Sequence, residues 1–133
     1  MERPEFIVTP GFGETFRRNL HFSTAVKTGN RVETSGQGGW NDDLQIPAAI
    51  EDEIAAAFRN VALVLANAGA TWDHVIHVNT YHVGGFPPVV NDTIVKLYRQ
   101  YMPNHAPIWT QLGVEALGLT TMRFEIRVTA IIH

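Results

Sequence analysis

The most regular pattern of the chain lies near its C-terminal end, where apolar and polar residues alternate. Met122, Phe124, Ile126, Val128, Ala130 and Ile132 fall on one face, and Arg123, Glu125, Arg127 and Thr129 on the other. Side chains of a strand alternate between the two sides of a sheet, so Met122–Ile132 is predicted to be a strand with one buried face. A second pattern has the helical period. Ile54, Phe58, Val61 and Leu65 recur at spacings of four, three and four, which predicts a helix from Glu51 to Ala68. Glu51, Asp52 and Glu53 crowd its first turn, where the helix dipole favours negative charge, and Gly69 is suited to cap its end. Its many alanines let it lie close against a sheet. Val90, Ile94, Leu97 and Tyr101 give the apolar face of another helix, from Pro88 to Met102, with Pro88 in its first turn and Pro103 ending it.

The remaining elements are shorter. Phe6–Val8 is a strand stopped by Pro10 and Gly11. Strands over 21–28 and 31–37 flank Gly29-Asn30, a hairpin signal because both residues tolerate positive φ. Residues 38–47 read as loop. Val75–Val83 is β-rich and ends at Gly84-Gly85. The order along the chain is β-β-β-α-β-α-β-β. No linker, repeat or low-complexity segment interrupts it, so residues 1–133 form one α+β domain.

Composition narrows the function classes. Hydrophobic residues make up 45% and charged residues 17% of the chain, the balance of a globular protein rather than a disordered one. The formal net charge is −3, and the nearest approach to a basic run is Arg17-Arg18. Binding to a phosphate backbone needs a clustered basic face, so nucleic acid is not an expected partner. The absence of cysteine removes disulfides, zinc–thiolate sites and thiol nucleophiles together. The N-terminal stretch has no apolar core of signal-peptide length, and no window reaches the roughly 18–20 apolar residues of a membrane span. A soluble cytoplasmic protein is expected, with no membrane partner.

Motif searches exclude several chemistries. There is no G-x-S-x-G, no G-x-x-x-x-G-K and no G-x-G-x-x-G between a strand and a helix. His74, His77 and His82 lie on or beside one strand, but His77 and His82 are five apart and face opposite sides, which is poor geometry for a shared metal. No metal is expected. His77, Asn79 and Tyr81 form a polar row on one face, read as solvated or as facing a neighbouring subunit. His105 lies in a helix-exit loop from which it can reach a cleft mouth.

Several short motifs then appear in order: "VETSGQ" (Val32–Gln37), "FRNV" (Phe58–Val61), "AGATWDHV" (Ala68–Val75), "YRQYMP" followed by "APIWT" (Tyr98–Thr110), and "MRFEIRVTAI" (Met122–Ile131). Together they resemble the Rid (YjgF-like) family, also called the endoribonuclease L-PSP family, over nearly the whole chain. The resemblance implies a chorismate-mutase-like fold and a homotrimer with a barrel-like core and clefts for a small molecule between subunits. It further implies hydrolysis of reactive enamines and imines without metal or cofactor.

The same resemblance marks the candidate site. Active members carry an arginine in a "P-A-R-(S/T)" motif that holds the substrate carboxylate, a task suited to a planar guanidinium donating two parallel hydrogen bonds. Here the motif is "PIWT", and Trp109 stands at the arginine position. An indole has one donor and no charge, so it cannot clamp a carboxylate. Gln111 takes a position often held by cysteine. An asparagine that often lines the cleft falls near Val95, with Asn91 one turn away, and Phe22 replaces a tyrosine. Glu125 in "FEI" matches the acid thought to position the hydrolytic water; Gly36 and the backbone at Thr110 also match.

Each of these residues has a plainer reading. Glu125 lies between Arg123 and Arg127 and is either a cleft residue or one half of a surface or interface ion pair. Trp109 either stacks on a flat ligand or packs structurally. Gly36, Gly38 and Gly39 allow close approach of a ligand near Trp40, or serve a sharp strand exit. Trp109, Trp40 and Phe22 around one pocket would make it flat and apolar. Three functions are expected to compete: an imine hydrolase of altered specificity, in which Arg31, Arg123 or Arg127 could replace the missing arginine; a trimer that binds without catalysis; and an RNA-cleaving or translation-inhibiting protein, against which the acidic balance argues.

Overall fold

A computed structural model describes residues 3–133. Six strands form one sheet: β1 (Glu5–Ile7), β2 (Ala25–Thr28), β3 (Arg31–Thr34), β4 (Val75–His82), β5 (Ile108–Gly113) and β6 (Phe124–Ile131), in the order β1-β2-β3-β6-β4-β5. All neighbours are antiparallel except β4 and β5. Those two are parallel because the chain between them crosses over as a helix. The helices are α1 (Phe12–Leu20), α2 (Ile50–Asn67) and α3 (Pro88–Tyr101). This is the expected α+β, chorismate-mutase-like domain.

The two main sequence patterns meet in the core. Ile54, Phe58, Val61 and Leu65 of α2 are fully buried, as are Phe124, Ile126, Val128 and Ala130 of β6. Val32, Val75 and Val78 complete the sheet side of this layer. A bulge between Val75 and His77 shifts the register of β4, so that Val75 and Val78 are both buried while Ile76 is exposed. Beyond the bulge, His77, Asn79 and Tyr81 face away from the helices, in register with Thr129, Arg127 and Glu125 of β6. On β5 the same register brings Ile108, Thr110 and Leu112 to this second face. It stays accessible: Ile108 and Leu112 are 67% and 50% exposed.

Three details depart from the sequence reading. Residues 12–20, between the first two strands, form a helix that was not expected. Phe12 and Phe16 anchor it to Trp40, and His21 closes it in the left-handed region at φ 58. The second strand therefore starts at Ala25 instead of residue 21. In the hairpin only Gly29 has positive φ, 59°, the pattern of a II′-class turn. Arg123 does not share the face of Glu125. It precedes β6, and its guanidinium donates to Glu53 Oε1 at 2.9 Å and to the carbonyls of Pro47 and Ala48.

The cause of that last departure is Glu53, which the sequence places among three dipole-favoured acids. Its side chain is wholly buried, and Oε2 accepts from the backbone N–H groups of Arg123 and Phe124 at 2.7 and 3.1 Å. A buried carboxylate is tolerated only with such partners. The clamp joins the first turn of α2 to the start of β6, at the two residues just before Glu125.

Candidate functional site

Glu125 sits on the accessible face of the sheet, second in β6, and is half-buried. Neither flanking arginine is its partner: Arg123 is held by Glu53, and Arg127 donates to Glu33 Oε1 at 3.0 Å. Arg31 also approaches Glu33, at 3.6 Å. Among the described residues the surface-pair reading of Glu125 therefore fails. Burial without a cation pushes the Glu125 carboxyl above the usual glutamate range. Gly36 lies against it: a Cβ there would fall 2.5 Å from the carboxyl carbon. The other two glycines serve packing. A Cβ on Gly39 would meet the Glu53 backbone, and one on Gly38 the Trp40 ring.

Trp109 lies on the opposite, helix-covered side. It is in register with the buried Val78, and its ring meets Tyr98 of α3 edge-on at 5.2 Å. It borders a cavity of about 290 Å³ between α3 and β5, with Val95, Tyr98, Met102 and Pro107 among its walls. His105 also lines this cavity and reaches the Val75 carbonyl at 2.7 Å. The Tyr98 hydroxyl is buried without a hydrogen-bond partner, and burial pushes its pKa up.

Gln111 shares the side of Trp109, since the two are separated by one residue on β5. A chain of polar contacts links them. Trp109 Nε1 donates to Thr80 Oγ1 at 3.0 Å, and Thr80 Oγ1 lies 2.8 Å from His82 Nε2. Gln111 Nε2 lies 3.3 Å from His82 Nε2 and donates to Asn91 Oδ1 at 2.7 Å. His82 is 1% exposed, between the rings of Phe86 and Phe124. Burial lowers its pKa from 6.5 to about 4, so the ring is neutral at pH 7. Asn91, not Val95, is the helix residue that meets β5 here.

The sequence reading missed Thr80 and His82. The signal was there: they follow Val78 at two-residue intervals on the buried face of β4, and polar groups on a buried face need partners.

The expected aromatic trio does not form within the chain. Trp40 is a core residue, 6% exposed and edge-on to Phe16 at 4.8 Å, not a ligand-facing ring. Phe22 stacks on Phe16 at 5.2 Å and borders a groove with Phe6, Val26, Glu33 and Arg127. Thr110 is exposed, on the side of Glu125 but in register with Arg127 through Asn79. The candidate residues thus form two half-sites on opposite sides of one sheet: Glu125, Gly36, Phe22 and Thr110 on one, Trp109, Gln111 and Asn91 on the other.

The six-stranded sheet backed by helices is an α+β fold shared with proteins of solved structure. The chain belongs to the endoribonuclease L-PSP family, whose model matches residues 14–132. It is similar to the RutC family protein YjgH of Escherichia coli K12, with 32% identity over 109 residues, 82% of this chain and 81% of that protein. The solved structure of YjgH aligns with a TM-score of 0.83 at 28% identity, covering 99% of this chain and 98% of that one. A 2-iminobutanoate/2-iminopropanoate deaminase of Dermatophagoides farinae is 31% identical over 91 residues, 65% of this chain and 70% of its own.

Proposed function

We propose that the protein is a metal-independent imine hydrolase working in clefts between copies of the chain, on substrates that lack the carboxylate read by an arginine. The carrying observation is Glu125: half-buried, free of Arg123 and Arg127, raised in pKa and faced by a glycine. A carboxylate of raised pKa is a better base toward water near neutral pH than an ordinary one. In the reaction, Glu125 takes a proton from water as the oxygen bonds to the imine carbon and the C=N electron pair moves to nitrogen, and it returns that proton to nitrogen to give a carbinolamine. Glu125 then takes the hydroxyl proton as the C=O bond forms and delivers it to the nitrogen as the C–N bond breaks, so that a carbonyl compound and ammonia leave. A backbone N–H at Gly36 or Thr110 would steady the developing charge.

The opposed half-sites support assembly. One chain cannot direct Glu125 and Trp109 into one space, whereas neighbouring copies can, each giving one half. The accessible sheet face, with Phe6, Ile108 and Leu112 exposed, offers apolar surface for such contacts. A homotrimer follows from the family resemblance; sedimentation giving a stable monomer at micromolar concentration would remove the shared cleft.

Ammonia release from a panel of unstable imines tests the activity. Turnover is expected for apolar or aromatic imines and weak for 2-aminoacrylate-type acids. Glu125→Gln should lower the rate roughly 10²–10⁴-fold. A second reading, binding without turnover, is favoured by the loss of the arginine at position 109. It takes over if no imine is hydrolysed, or if Glu125→Gln leaves the rate unchanged.

A further inference from the structure

We infer that Asn91 and Gln111 form a recognition pair for a neutral carboxamide-type group, so that the ligand of this chain carries an amide, lactam or ureido head. The inference rests on the proposal that this side of β5 lines the ligand cleft, and it names what that cleft selects.

The direction of the polar chain decides it. An indole N–H only donates, so Thr80 Oγ1 accepts from Trp109. The Thr80 hydroxyl proton is then available for His82 Nε2, 2.8 Å away. That nitrogen accepts, and the neutral imidazole carries its proton on Nδ1. Facing an acceptor, Gln111 presents its NH₂ group: one proton shares the single lone pair of His82 Nε2 with the Thr80 hydroxyl, at the longer distance of 3.3 Å, and the other goes to Asn91 Oδ1. Both amide protons of Gln111 and the carbonyl of Asn91 are thereby engaged. The groups left over are the Gln111 carbonyl oxygen, an acceptor, and the Asn91 NH₂, a donor.

A donor beside an acceptor matches a group that offers both, as a carboxamide does. A carboxylate offers acceptors only, and would set its charge against the Gln111 oxygen; the cation that lines the adjacent cavity, Arg99, lies eight residues, about 12 Å, further along α3 from Asn91. Both residues are partly exposed, so the pair is reachable. Val95, one helical turn after Asn91, and Trp109, next to Gln111 on the same side of β5, wall the cavity of about 290 Å³. The cavity continues the strip and suits the apolar remainder of such a ligand. Trp109 thus does more than abolish a carboxylate clamp: its N–H sets the polarity of the chain that replaces it.

The test uses phenylacetamide and phenylacetate, equal in size and different only in the head group. Titration calorimetry on the assembled protein should show the amide bound at least about tenfold more tightly, the scale of one buried hydrogen bond made or lost. Equal or tighter binding of the carboxylate overturns the inference, and so does failure of both probes to bind. Trp109→Phe keeps a ring but removes the N–H, and should bring the ratio toward one; an unchanged ratio refutes the directing role. Because that variant could also disturb packing, ¹⁵N shifts of His82 in the unaltered protein give a second reading. The Nδ1–H tautomer is expected, and the Nε2–H tautomer overturns the chain. Ammonia release, measured in parallel, separates this inference from the hydrolase proposal. Amide preference without turnover overturns only the hydrolase, and turnover without amide preference overturns only the recognition pair.

Discussion

Glu53→Ala removes the carboxylate that ties α2 to β6. Its loss strands the N–H groups of Arg123 and Phe124, the latter residue fully buried. An unsatisfied buried donor costs about 1–3 kcal/mol, so two cost roughly 2–6 kcal/mol. The Arg123 side chain is 38% exposed and can turn to water, so its ion pair adds little. The middle of that range applies, because Phe124 is fully buried and Arg123 half-buried. The expected destabilisation is therefore about 3–5 kcal/mol, a large share of the stability of a domain this size. Urea unfolding at pH 7 measures it, at fixed protomer concentration because assembly couples to folding. The midpoint should fall while the slope stays constant. A loss under about 1 kcal/mol would refute the reasoning, since it would mean that water satisfies both N–H groups as well as the carboxylate does. Glu53→Gln retains one acceptor oxygen and should lie between the two.

The raised pKa of Glu125 predicts a pH effect of definite sign. Between the ordinary glutamate range and the raised value the native state holds more protons than the unfolded chain, so Glu125 loses stability for the fold as pH rises. Glu125→Gln should therefore gain on the unaltered protein as pH rises through that window and match it at lower pH; urea midpoints across pH decide. His82 titrates the other way, because its neutral form is favoured in the fold. Stability should fall as pH drops from 6.5 toward about 4, and His82→Gln should flatten that slope in the same measurement. Gly36→Ala sets a methyl group against the end of the Glu125 side chain, which can swing away, so the fold should lose under about 1.5 kcal/mol while hydrolysis falls by more than about tenfold. Equal loss of both, by thermal melts and ammonia release, would make Gly36 a packing glycine only.

Much of the fold was legible along the chain. α2 and β6 carry long, clean apolar periods, and burial acts on each period directly, so their faces follow from local pattern. The hairpin at Gly29 and the cap at Gly69 are local too. α1 escaped because it is short and only two apolar residues anchor it; its partner is Trp40, from a loop more than twenty residues later. Trp40 was misread for the same reason: whether an indole beside glycines faces a ligand or a core depends on what folds over it.

The candidate site divides along the same line. Glu125 and Trp109 are visible as residue types at motif positions, and so is the missing guanidinium. That Arg123 turns to Glu53 and Arg127 to Glu33, leaving Glu125 with neither, depends on partners 70 and 94 residues away in sequence. The polar chain from Trp109 to Asn91 likewise joins three elements that only the sheet register brings together. The amino-acid sequence by itself determined which faces are apolar, and hence the layers, because burial responds to periodicity within an element. The tertiary structure alone decided which charges are neutralised and which polar groups remain free, because a hydrogen bond or ion pair depends on distance between elements, and no periodicity carries that distance.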